Sequence, residues 1–314
     1  MGGGVLLGPQ RNAITVTGEL DRLGLRGKIA AITAGWQERE SEDNELQDAI
    51  GHRAVNLRLH ERVEAVFQAD PELFQAHRAR QDRVRQLQEL YRLRLHKALE
   101  AARELADFAA PSDLVEPEYA AAVEAVRTLD EHHLKRIRQI HSEFEARWHL
   151  HRRPALMRHR AEVAALIEDC EIVAIAGGHV GSLLTRIRLL DVPAHLPRRF
   201  VMAWSAGAMV CTDRVVLFHD RPPEGPGHAE VFDVGMGLIA DVVALPHATR
   251  RLELQDRARM SLFARRFSPS VCVALDPRCR LGFGPRGLSA NEDTYELAMD
   301  GALLPMASRQ GGQP

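Results

Sequence analysis

The chain has 314 residues, 45% of them hydrophobic and 27% charged, with 41 Lys and Arg against 43 Asp and Glu for a formal charge of −2. That is enough apolar side chain for a sizeable core, and the near-balanced charge offers no global field to gather nucleic acid, which is therefore not expected as a partner. The first ten residues, MGGGVLLGPQ, lack a basic segment followed by an apolar one, and no apolar run reaches bilayer length, so a cytoplasmic protein without a membrane partner is expected.

Short apolar runs at 5–7 and 28–33 (KIAAIT), bounded by glycines, suit buried parallel strands, with 18–25 as a helix or turn between them. From 71 to 160 glycine is absent and Arg, Glu, Gln, Leu and Ala dominate, as helices require. Val84, Leu87, Tyr91, Leu95, Ala98, Ala102 and Leu105 recur at steps of three or four, as do Leu134, Ile137, His141, Phe144 and Trp148. The segment 109–117, with two prolines and the capping residues Ser112 and Asp113, predicts a break, hence a helical hairpin inserted at 71–160 into an α/β domain of residues 1–70 and 161–306. Its apolar stripes exceed what a hairpin hides, so a partner subunit or the main domain should cover them, and a homo-oligomer is expected. The hairpin histidines, such as His77, His132, His133, His141, His149 and His151, lack the i, i+4 spacing of a helical zinc site; together with the arginine-rich runs they read as solvated helix faces, and no metal is expected.

Further strands are predicted at 171–176, 200–203, 215–218, 241–245 and 271–275, with helices at 181–190 and 252–266, which favours a doubly wound, mainly parallel sheet. The four cysteines, Cys170, Cys211, Cys272 and Cys279, match no metal or redox spacing and read as free thiols. The polar tail 307–314 is expected to be flexible.

Three strings carry chemistry. In FVMAWSAGAMV (200–210) an apolar strand runs into Ser205 and then into small residues where a helix should begin. Such a strand–turn–helix exposes a nucleophile and aims the first helical amide, that of Ala206, at an oxyanion; it is also the pattern of a serine that merely caps its helix. In AIAGGHVGSLL (174–184) the pair Gly177 and Gly178 ends a strand, either to let backbone approach a ligand or to make a turn with positive φ. In the third, a strand ending at Pro246 delivers His247 to the sheet's carboxyl edge, where it could serve as a general base.

Together, in order and spacing, the glycine pair, the S-A-G-A elbow and the GMGL turn before PH and RRLELQDRAR resemble the serine peptidase family of aspartyl dipeptidase and cyanophycinase. The resemblance implies a flavodoxin-like fold similar to class I glutamine amidotransferases. It implies Ser205 as nucleophile, His247 as base, and the amides of Gly178 and Ala206 as oxyanion hole, acting without metal or organic cofactor on peptide-like or isopeptide-like small substrates. Gly177, His179, Trp204 and Arg250 are then expected to bind substrate, with Arg186 and Arg251 as further basic candidates. The sequence departs from the family at Ala203 and His179, and at Pro277 in ALDPRCRL, where the family carries its triad acid. Asp276 and Asp220 are the remaining candidates for that role. The alternative is a catalytically impaired relative that uses its hairpin as an assembly or binding module.

Overall fold

A computed structural model describes residues 2–11, 13–220, 227–306 and 309–310. Five parallel strands, β1 (Gly4–Leu7), β2 (Ile29–Ile32), β3 (Ala54–Asn56), β4 (Ile172–Ile175) and β5 (Phe200–Trp204), lie side by side in the order β3-β2-β4-β5-β1. Strands β1, β2 and β4 are buried along their whole length, as continuous apolar runs in a sheet covered on both faces should be. Alternate residues serve the two faces. Val5, Leu7, Ile29, Ala31, Ile172, Ala174 and Met202 pack with α1 (Val16–Leu23) and α2 (Asn44–Ala49). Leu6, Ala30, Ile32, Val173, Ile175 and Val201 join the larger core under α3 (Leu59–Ala69), α6 (Pro154–Glu168) and α7 (Val180–Leu189).

The long hairpin is α4 (Pro71–Ala106) and α5 (Ser112–Trp148). Pro71 sits at the helix start, where its missing N–H has no partner to lose, and Asp70 caps the helix by accepting from Leu73 N. The break between the helices is shorter than expected, because Pro117 lies within α5; so near the helix start it removes a single intrahelical hydrogen bond.

Beyond β5 come α8 (Ala206–Cys211) and the antiparallel pair β6 (Arg214–Leu217) and β7 (Glu230–Val234). β8 (Val242–Pro246) and β9 (Val271–Leu275) pair in parallel, with α9 (Ala248–Arg251) and α10 (Arg257–Phe267) between them. The two strands were expected to continue the main sheet. They form a second sheet instead, because β10 (Arg280–Gly284) and β11 (Gly287–Ala290) return antiparallel and occupy the β1 edge. β12 (Tyr295–Leu297) and β13 (Leu303–Pro305) complete the second sheet, and the backbone of β14 (Arg309–Gln310) pairs with Gly287 and Leu288. The rest of the tail expected to be flexible lies outside the described residues.

The main domain itself covers the hairpin's inner face. Arg266 on α10 forms a two-armed ion pair with Asp130 on α5 (2.7 and 2.8 Å), and its remaining donors reach Ala229 O (2.6 Å) and Tyr91 OH (2.9 Å). Tyr91 OH in turn donates to Asp130 (2.7 Å) and accepts from Val231 N (3.2 Å), while the His133 ring stacks on Tyr91 at 4.0 Å. Burial opposes the Arg266 charge, but Asp130 and Tyr91 outweigh it and raise the guanidinium pKa. A second clamp joins His141 of α5 and Arg188 of α7 to Asp233 of β7 (3.0 and 3.3 Å), holding the Asp233 carboxyl down at about 2 despite its burial. The hairpin histidines are thus not all on solvated faces: His77, His133 and His141 are buried, and so is Arg80, whose guanidinium lies over the Phe144 ring at 4.5 Å.

Removing one partner of a buried pair leaves the other uncompensated. Arg266→Leu should lower unfolding free energy by about 3–5 kcal/mol in urea titrations, and the Asp130→Leu/Arg266→Leu double variant should lose clearly less.

Candidate active site

Ser205 joins β5 to α8 with φ 52° and ψ −124°, a backbone conformation that a side-chain-bearing residue adopts at a cost of about 1–3 kcal/mol. Its side chain makes no capping hydrogen bond to α8, so the hydroxyl is not engaged as the helix cap. The turn is possible because its neighbours are small. A Cβ on Gly207 would stand 2.1 Å from Ile175 O, and one on Gly177 would stand 2.7 Å from Ser205 Cβ and 3.4 Å from its Oγ. The glycine pair at the end of β4 therefore lies directly against the serine.

Gly178 has φ 113°, and a Cβ there would stand 2.4 Å from the Gly35 carbonyl carbon. Its neighbour His179 donates its own N–H to Gly35 O (2.7 Å). The His179 ring caps α7, with Nδ1 accepting from Ser182 N at 3.0 Å. Neither the Gly178 amide nor the Ala206 amide donates to another backbone group among the described residues. Both are thus free to serve an oxyanion beside Ser205.

His247 follows β8 with φ 59°, and its N–H donates to Leu275 O (3.2 Å). β8 and β9 pair Pro246 with Leu275, so His247 and Asp276 leave the second sheet side by side. Asp276 is also tied to the main sheet: Gly8, just past the end of β1, leaves room for Asp276 O, where a Cβ would come within 1.9 Å. Leu7 of β1 pairs with Trp204, so Gly8 stands beside Ser205 in register. Serine, Asp276 and His247 therefore share one carboxyl-terminal edge, with α8 packed on β8.

Burial lowers the half-buried His247 below the ordinary histidine pKa; Arg251 and Arg250 add to this, and Asp276 opposes them. The imidazole is thereby kept neutral at neutral pH, as a proton acceptor must be. Among the described residues no carboxylate is hydrogen-bonded to the His247 ring. The Asp276 carboxylate accepts from Thr249 N (3.1 and 3.2 Å) and Thr249 Oγ1. Asp220 is engaged elsewhere, pairing with Arg259 and accepting from Glu253 N (3.0 Å).

Trp204 is 7% exposed and packs in the core on the α1 side. Arg250 is exposed beside His247, and Arg186 is paired with Glu64 (2.8 Å). A cavity of about 400 Å³, lined in part by Gly2, Phe283 and Leu288, lies at the opposite end of β1. All four cysteines are free and buried, and among the described residues no three His, Cys, Asp or Glu side chains group to hold a metal. No described helix is long and apolar enough to cross a membrane. Residues 34–39, which follow β2, carry no sequence motif; only the contact of Gly35 with Gly177 and Gly178 marks them.

No family model matches the chain, and no curated protein matches it. Among solved structures, a peptidase from an acI-B1 Actinobacterium aligns with 100% of this chain and 96% of its own at 13% identity and TM-score 0.47. A putative peptidase E protein from Listeria monocytogenes EGD-e aligns with 93% of this chain and 98% of its own at 9% identity and TM-score 0.45. Likeness this distant carries no argument about the chemistry, which is read from the site's own geometry.

The strained serine backbone yields a direct test. Ser205→Gly should raise unfolding free energy by roughly 1 kcal/mol while Ser205→Ala leaves it nearly unchanged, because only glycine relieves the positive φ.

Proposed function

We propose that the chain is a serine hydrolase of peptide-like amide bonds, built on an amidotransferase-like α/β scaffold, that works through an acyl-enzyme at Ser205. The observation that carries this reading is the Ser205 backbone: a non-glycine residue held at φ 52° between β5 and α8, its hydroxyl not used as a cap, with Gly177 against it. Strained backbone of this kind clusters at active sites, and a strand–serine–helix turn is the form in which it exposes a nucleophile.

In this reading Ser205 Oγ attacks the carbonyl carbon and its proton passes to the neutral His247 ring. The oxyanion accepts from the Gly178 and Ala206 amides. When the C–N bond breaks, His247 returns the proton to the departing amine, and water then releases the acyl group by the same route in reverse. Asp276 acts on His247 through charge, favouring the imidazolium that forms, while its oxygens hold Thr249 at the start of α9. The exposed Arg250, three residues after His247, is a positive charge that fits an acidic or isopeptide substrate. A single feature fits a second reading, a non-catalytic module that assembles through its hairpin: among the described residues no carboxylate is hydrogen-bonded to the His247 ring.

Labelling with a fluorophosphonate probe decides between them. Wild-type protein should label at neutral pH, and Ser205→Ala and His247→Ala should not; a folded wild-type protein that does not label sinks the hydrolase reading. The pH profile should carry the same signature. Labelling should rise with pH through a midpoint below the ordinary histidine value, because the base must be neutral and its pKa is lowered. Arg251→Ala should move that midpoint up and Asp276→Asn should move it down, each by removing the charge named.

A further inference from the structure

A second residue shares the backbone strain of Ser205. Gln37, in the 3₁₀ turn Ala34–Arg39 that follows β2, has φ 57° and ψ −123°, against 52° and −124° for Ser205. The turn that carries Gln37 follows β2, and β2 and β5 flank β4, the strand that ends in the glycine pair. Glycine would hold this conformation without strain, so a side chain retained there calls for a use.

The turn is fixed at both ends without the Gln37 side chain, whose backbone carbonyl accepts from Glu40 N (2.9 Å). Thr33 Oγ1 donates to Glu40 O (3.0 Å), and Asn56 Nδ2 donates to both Thr33 Oγ1 and Glu40 O (3.0 Å each). The buried Glu40 carboxylate accepts from His60 N (2.8 Å) and Glu61 N (3.0 Å) at the start of α3. In between, Gly35 presses on Gly178 and accepts from His179 N. The Gln37 side chain adds one bond, Nε2 to Ser182 Oγ (2.8 Å) on the first turn of α7, whose amide caps onto the His179 ring. That bond orients the amide and leaves Oε1 accepting no hydrogen bond among the described residues.

We infer that Gln37 is a specificity-determining residue whose Oε1 accepts an N–H of the substrate, so that the site takes peptides with an amide N–H one or two residues from the scissile carbonyl. The inference rests on the hydrolase reading above. It makes Gln37 a recognition group on the far side of the oxyanion loop from Ser205, held rigid by the same turn that positions Gly178.

Three probes test it on the full chain: a small alkyl fluorophosphonate, an acetyl-dipeptidyl diphenyl phosphonate, and the latter N-methylated at its amide nitrogens. Wild-type protein should react with the unmethylated peptidyl probe about tenfold faster than with the methylated one, the loss of one hydrogen bond. Gln37→Gly and Gln37→Met should abolish that preference while the fluorophosphonate rate stays within about twofold of wild type, the scale of a variant that spares the nucleophile. Gln37→Gly should also raise Tm, because it relieves the positive φ, whereas Gln37→Met should not. If both variants keep the preference, or lose fluorophosphonate labelling and Tm together, Gln37 is structural and the inference is overturned. If wild type reacts with none of the probes, the hydrolase reading fails first, an outcome separable from the others by the fluorophosphonate alone.

Discussion

Everything at the carboxyl edge of the main sheet depends on how closely the backbones of β4 and β5 approach where they end. Gly207 lets α8 start against Ile175 O, Gly177 lets the serine turn sit on the end of β4, and Gly178 lets that end press on Gly35. A methyl group at any of the three positions would overlap backbone or the serine itself. The close approach brings Gly177 against Ser205 and the Ala206 amide, and Ser205 takes a positive-φ backbone with its hydroxyl uncapped.

The second constraint is electrostatic and lies far from the serine. A hairpin of two helices, each over 35 residues long, would splay from the domain if only its apolar stripes held it. Instead Asp130 and Tyr91 receive Arg266, and Asp233 receives His141 and Arg188. Such pairs are costly to desolvate, and their directional donors fix one docking where greasy surfaces would permit several. Arg266 belongs to α10, which lies between His247 and Asp276 in the chain, so the hairpin is seated on the segment that links these two residues. An insertion docked in this way supports the domain that carries the site, and its inner face is not left for a partner.

Much of this was legible beforehand because it is local. The fully apolar runs that became β1, β2 and β4, the glycine-free helical hairpin from Pro71, and the strand–serine–small-residue string around Ser205 are each set by near neighbours, through periodicity and steric room. Less legible were the strands after residue 275. Arg280–Gly284 and Gly287–Ala290 have weak alternation, and only the GPRG turn between them hints at a hairpin. Trp204 shows the limit of reading roles from adjacency: it precedes the serine, but strand alternation turns it into the core on the α1 face.

The sequence by itself determined the mixed α/β class, the presence of a long helical insertion from Pro71 and the strand–serine–helix turn at Ser205, since these follow from patterns a few residues long. Only the tertiary structure decided which groups meet. Arg266 reaches Asp130 across 136 residues, Asp220 is taken by Arg259, Asp276 divides its influence between Thr249 and His247, and Gln37 is brought to the first turn of α7 by a turn with no motif of its own. Charge pairing and close backbone approach act through space, and the distances that govern them exist only once the layers have packed.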